Sequence, residues 1–143
     1  MSYENKVIIA DTGFWLALGS RSDRYHYLAS HTFQQISEPL VTTWPVVTET
    51  CYFLLKRHGN NAQIAFLSNI SNDAFKIHDL TVKDTQRITR LMSQYSDLPM
   101  DFADASLIVL AEHLQDGRIL SSDRRDFSTY RWNDNEPFEN LML

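Results

Sequence analysis

The sequence predicts an α/β protein in which a parallel sheet is covered by helices on both faces. Two observations carry this: short apolar runs bounded by turn residues alternate with longer stretches of helical periodicity, and the composition is that of an ordinary folded globule. Of 143 residues, 43% are hydrophobic and 22% charged, too apolar for a disordered chain and too polar for a membrane protein. Such a chain is read as one domain, residues 1–143, able to bury a core without a metal or disulfide staple. No repeat, low-complexity tract or Pro/Gly/Ser linker marks a boundary.

The elements follow in order. Residues 6–10 form a first strand, after which Thr12 and Gly13 turn the chain into a short helical segment, residues 14–18. Beyond a Ser- and Arg-rich loop, Asp23 is the candidate cap of a helix running to about Ile36, and residues 39–42 read as a second strand. Thr43 and Pro45 suit the cap and first turn of a helix that Gly59 ends. A shorter helix covers residues 62–70, and Phe75, Ile77 and Leu80 mark a third strand. Thr81 and Asp84 open a helix to about Tyr95, Pro99 breaks the chain, and residues 101–115 carry the strongest helical pattern, closed by Gly117. Residues 118–121 return as a strand, and residues 138–143 are the candidate for a last one. In such sheets ligands bind beyond the carboxyl ends of the strands, where strand order reverses.

Four carboxylates stand where a pocket of that kind would form. Asp11 ends the apolar run Val7, Ile8, Ile9, Ala10, and Asp123 follows Ile119 and Leu120. Glu49 shares a helix face with Val46 and Phe53, and Asp104 heads the stripe Leu107, Ile108, Ala111, Leu114. Singly, each acid has an ordinary explanation, for Asp104 a favourable position at a helix start and for Glu49 a partly exposed site. Four segments delivering a carboxylate to one edge of one sheet are harder to explain without a cation, because clustered carboxylates repel. Oxygen ligands without a cysteine or histidine cluster favour magnesium or manganese over zinc. Such ions suit phosphodiester chemistry, in which a metal-activated water attacks phosphorus.

These pieces resemble the PIN-domain ribonucleases, and most closely the VapC-type toxins of bacterial toxin–antitoxin pairs. The resemblance covers nearly the whole chain. It rests on Ile9-Ala10-Asp11-Thr12, on Glu49 in a mid-chain helix, on Pro99-Met100-Asp101-Phe102-Ala103-Asp104-Ala105, and on Leu120-Ser121-Ser122-Asp123 followed by Arg124-Arg125-Asp126-Phe127. It implies a three-layer α/β/α fold with a central parallel sheet, magnesium-dependent cleavage of RNA, and a small antitoxin that blocks the site. The family's acid positions match Asp11, Glu49, Asp104 and Asp123, as catalytic and metal-binding residues. Asp101 and Asp126 are extra acids, taken as auxiliary, and Thr12 and Ser122 look like hydroxyl partners that hold waters or carboxylates in place.

Other features narrow the alternatives. Thirteen Lys and Arg against eighteen Asp and Glu give a net charge of −5, but if four to six acids converge on cations the remaining surface is near balance, so RNA is not excluded. Arg124 and Arg125 are equally readable as phosphate contacts or as a solvated loop. Asp11-Thr12-Gly13 also spells the aspartic-protease signature, which needs two copies on a β-rich scaffold; this chain has one, so only self-association would supply the second. The histidines His26, His31, His58, His78 and His113 lack metal-ligand spacing, and Cys51 reads as a small buried hydrophobe rather than a catalytic thiol. Trp44 beside Pro45, and Phe14 with Trp15, read as core or interface anchors in preference to base-stacking platforms. No apolar run is long enough for a signal peptide or a membrane span, so a cytoplasmic location is expected. A homodimer stays open, as does a second function class, a non-catalytic PIN-like module that binds RNA or protein.

Overall fold

In the computed structural model, which describes residues 6–143, five strands pair into one all-parallel sheet. The first five residues of the expected domain lie outside the described residues. In chain order the elements are β1 (Ile8–Ala10), α1 (Thr12–Gly19), α2 (His26–Gln35), β2 (Leu40–Thr43), α3 (Trp44–His58), α4 (Asn60–Ser71), β3 (Lys76–His78), α5 (Asp84–Gln94), α6 (Phe102–Leu114), β4 (Arg118–Leu120), α7 (Arg124–Thr129), β5 (Arg131–Trp132), β6 (Glu136–Pro137) and β7 (Glu139–Asn140). The sheet order is β3-β2-β1-β4-β7, and β5 and β6 form a separate antiparallel hairpin. Strand order reverses between β1 and β4, which opens a crevice at their carboxyl ends.

The central strands are apolar on both faces, as a doubly covered parallel sheet requires: Ile8, Ile9, Ala10, Val41, Ile119 and Leu120 are fully buried. Helix α6 departs from the one-sided stripe expected of it. Val109 and Leu110 are buried together with Leu107, Ile108 and Ala111, because α5, α3, β2 and the β5 hairpin strand surround the helix. A hydroxyl pair fastens it to the sheet: Ser106 Oγ donates to Ala103 O and lies 2.6 Å from Thr43 Oγ1, while within the sheet Thr42 Oγ1 ties β2 to β1 by donating to Ala10 O at 2.7 Å.

Several expected boundaries move, each for a local reason. Helix α1 starts at Thr12, two residues early, because Asp11 itself caps it. Helix α2 starts only at His26; Asp23 Oδ1 accepts from Tyr25 N and so holds the turn before the helix instead of capping it. Thr43 stands at the cap position of α3, but its side chain makes no capping bond and faces Ser106 instead. The end of α6 is made by Gln115 in the left-handed conformation (φ 55°), and not by Gly117. Helix α7 and the β5–β6 hairpin occupy a segment read as loop. Cys51 is only partly buried, and Trp44 is 48% exposed, so it is no core anchor. Phe14 and Trp15 are buried, as read. Among the described residues no helix is long and apolar enough to cross a membrane.

Gly117 has another purpose. A Cβ there would stand 2.2 Å from Trp132 Nε1 and 2.8 Å from its Cδ1, and the indole is held by its bond to Pro137 O. Gly117→Ala is therefore expected to cost about 1–3 kcal/mol through overpacking. Thermal unfolding followed by circular dichroism measures this; an unchanged midpoint would show that the indole swings aside freely.

Candidate active site

Asp11 lies at the end of β1, where its backbone N–H continues the ladder to Leu120 O at 3.1 Å. Its carboxylate is 7% exposed and is gripped from two sides. Oδ1 accepts from Thr12 N at 2.7 Å, which caps α1, and Oδ2 accepts from Ser121 Oγ at 2.9 Å. The same Ser121 oxygen accepts from Asp123 N at 2.9 Å, so one hydroxyl couples the acids that follow the two adjacent strands. Asp123 Oδ1 in turn accepts from Asp126 N and caps α7. Across the crevice, Asp101 Oδ1 caps α6 by accepting from Asp104 N at 2.8 Å, and the buried Tyr130 directs its hydroxyl to Asp104 Oδ2 at 3.3 Å. Glu49 approaches from α3, half-buried.

Asp11, Glu49, Asp101, Asp104 and Asp123 line a single cleft of about 510 Å³ together with Thr12, Ser122 and Asp126, and with Arg24, Tyr25 and Arg57. Burial pushes the Asp11 carboxyl up to about 7, against the opposing help of Ser121 and Thr12 and reinforced by Glu49 and Asp123. Asp104 is pushed up to about 8, first by burial and then by the charges of Asp101 and Asp11. Burial also raises Glu49, with Asp101 adding to it, and raises Asp123, with Asp126 adding to it. The hydroxyl of Tyr130 is raised strongly, by burial and by the acids around it. Among the described residues the only ion pair reaching an acid of the cleft is Arg125 to Asp126 at 3.2 Å, and Arg125 is 79% exposed.

Asp11, Glu49, Asp104, Asp123, Asp101, Asp126, Thr12 and Ser122 thus share one cleft. Two readings of the sequence need correction. The hydroxyl joining Asp11 to Asp123 belongs to Ser121, whereas Ser122 packs against Gly13. Arg124 and Arg125 begin a helix and do not line the cleft; Arg24 and Arg57 do. Tyr130 and Ser121 went unnoticed. Tyr130 carried no local signal, but Ser121, sitting between an apolar strand and an acid, could have been found.

The PIN domain family model matches residues 8–133, which span every element from β1 to the start of the β5–β6 hairpin and all the acids of the cleft. The chain belongs to the PIN-domain family. It is 29% identical over 124 residues to ribonuclease VapC26 of Mycobacterium tuberculosis, covering 87% of this chain and 92% of the relative. Two solved structures share the fold. One is M. tuberculosis VapC20, described as a sarcin-ricin loop cleaving toxin, with TM-score 0.78, 20% identity, and coverage of 84% of this chain and 92% of that one. The other is a toxin–antitoxin complex from Klebsiella pneumoniae, with TM-score 0.62, 15% identity, and coverage of 85% and 91%.

The donor set fits a hard divalent cation. It is all oxygen, it comes from four chain segments, and burial penalises its negative charge with little cationic relief from the protein. Thr12 is buried, lines the same cleft, and its hydroxyl lies beside Glu49, opposing the rise that burial gives that carboxyl. The acids line the cleft without meeting at a point: among the described residues no three Asp, Glu, His or Cys side chains are gathered tightly enough to hold an ion as they stand.

The raised carboxyls fix the sign of a pH effect. The folded state holds protons on Asp11 and Asp104 up to about 7 and about 8, whereas the unfolded chain releases them near 3.8. Between those values the native state binds more protons, so stability is greatest below about pH 4 to 5 for these groups and falls as pH rises through 7 to 8. Thermal melts in a chelator should show stability falling steadily between pH 5 and pH 8. Stability that rises over that interval would mean the two carboxylates are already offset.

Proposed function

We propose that the protein is a divalent-metal-dependent endoribonuclease, a single nuclease domain acting in the cytoplasm as the toxin of a toxin–antitoxin pair. The meeting of Asp11, Glu49, Asp104 and Asp123 in one cleft, with charges that the protein itself leaves almost uncompensated, is the observation that supports it. The ribonuclease VapC26 likeness supports RNA as substrate, and the Klebsiella toxin–antitoxin complex supports a small antitoxin as partner.

Those four acids would hold magnesium or manganese. When bound, such an ion supplies positive charge that activates a water and offsets charge on the phosphodiester oxygens. The remaining work belongs to the chain. Ser121 fixes the Asp11 carboxylate in one orientation and ties it to the Asp123 backbone. Tyr130 aims one oxygen of Asp104, Asp101 caps the helix start that presents Asp104, and the Asp126 backbone N–H holds one oxygen of Asp123. Arg24 and Arg57, on the cleft wall, are placed to meet the RNA backbone.

Cleavage of a panel of structured RNAs, with and without magnesium, tests this. Asp11→Asn and Asp104→Asn should abolish cleavage while leaving the fold intact, since each removes charge but little volume. Ser121→Ala should lose only the roughly 10–100-fold typical of an orienting partner. Products should carry a 5′-phosphate and a 3′-hydroxyl, because a water nucleophile needs no ribose 2′-oxygen. Cyclic-phosphate ends, or full activity in EDTA, would falsify the metal mechanism. Wild-type protein that binds RNA and never cuts it would leave the binding-module class instead.

Magnesium or manganese should also raise the thermal midpoint by several degrees at saturation, because a ligand held only by the native state adds RT ln(1 + [L]/Kd). Melting that is indifferent to both ions counts against the site without reference to activity.

A further inference from the structure

A second concavity adjoins the acid cleft. It measures about 820 Å³ and carries on its walls three aromatic side chains, Trp44 at the start of α3, Tyr52 two turns further along it, and Phe102 at the start of α6. These rings are 48%, 56% and 50% exposed, which a folded domain tolerates at one place only at some cost in solubility. Glu49, Phe53 and Asp101 line both this groove and the acid cleft, so the two are one continuous surface. Trp44 is steadied by its indole N–H bond to Asp79 Oδ1 at 3.2 Å. Cations stand along the same helix: Lys56 Nζ lies 5.6 Å from the centre of the Tyr52 ring, and the Arg57 guanidinium lies 4.8 Å from that of Phe53. Arg57 also reaches the wall of the acid cleft.

We infer that Trp44, Tyr52 and Phe102 form a stacking shelf for unpaired nucleobases of the RNA substrate, next to the bond that is cut. The inference rests on the proposed nuclease reading and names what that site recognises. Flat rings accept any base on their faces, and extruded bases of loops and single strands are the ones a protein can stack in this way. Lys56 and Arg57 supply the phosphate contacts that a backbone running from shelf to cleft requires. A duplex, whose bases are already stacked, gains nothing from the shelf. Selection for unpaired RNA at the cut site is the consequence.

Binding of short single-stranded RNA to the whole protein, measured in EDTA so that nothing is cut, tests the shelf independently of catalysis. Each probe is compared with versions carrying one abasic ribose. Trp44→Ala and Phe102→Ala should each weaken binding about tenfold, and Trp44→Phe should restore most of it. At the abasic position that weakens wild-type binding, Trp44→Ala should cost nothing further, which a merely structural role would not produce. Equal binding by wild type and both alanine variants, with folding verified by circular dichroism, overturns the shelf. So does a change confined to oligomeric state in size-exclusion chromatography, which would make the groove a protein interface. If abasic-sensitive binding holds but the wild type cuts no RNA with magnesium, the nuclease reading fails and the shelf stands; if the wild type cuts and the variants bind normally, the reverse is true.

Discussion

The pairing of β1 with β4 is the constraint on which the rest of this molecule depends. Parallel neighbours in register at Ile9 with Ile119 and Ala10 with Leu120 end side by side, so the residues just beyond them, Asp11 and Ser121, must emerge together. Ser121 turns that proximity into a rigid coupling through a single oxygen that donates to one acid and accepts from the backbone of the other. The last strand completes the clamp. Asn140 donates to Ser121 O at 2.9 Å and accepts from Ser121 N at 3.3 Å, so the edge strand β7 fixes the residue that fixes the acids.

Charge is distributed with the opposite logic at the two ends of the sheet. At the amino end, Arg118 bonds Glu38, Asp116 and the Val7 carbonyl, and every partner of that guanidinium is satisfied by it. On the flank, Arg87 holds Glu112 and Asp134 and joins α5, α6 and the hairpin turn. At the carboxyl end, apart from the largely exposed Arg125 beside Asp126, the acids are left with hydroxyls, backbone N–H groups and each other. Hydrogen bonds of that kind orient a carboxylate without neutralising it, and burial makes the remaining repulsion expensive. A protein that can pair its acids elsewhere, and leaves these unpaired, stores unfavourable energy at one place, as functional sites do.

Helix α6 transmits the sheet's position to the opposite wall of the cleft. Its buried alanines and Ser106 let it lie close to β2, and the Thr43–Ser106 contact sets its register. Asp104 is then carried two residues before the point of attachment, with Asp101 as cap and Tyr130 as its only side-chain donor among the described residues. Tyr130 stacks edge-on against Tyr95 and Phe127, so the core of the carboxyl-terminal segment aims an acid oxygen of the cleft.

Much of this was already determined by the order of residues along the chain. Hydrophobic periodicity and capping residues located the strands and helices of the sheet, and four acids following strands or interrupting apolar helix faces marked the cleft, because a charge in such places is costly enough to need a reason. The short helix α7 and the hairpin escaped because six-residue and two-residue elements have no period to detect, and exist only because Asp123 caps one and Gly117 admits Trp132 beside the other. Only the tertiary structure decided which hydroxyl serves, since Ser121 and Ser122 are chemically the same and differ in that one meets Asp11 beyond the strand end while the other lies against Gly13. It alone brought Tyr130 to Asp104, 26 residues away along the chain, and set Trp44 at the surface. Local interactions are written in neighbouring residues; the partner across the cleft is chosen by how the layers pack.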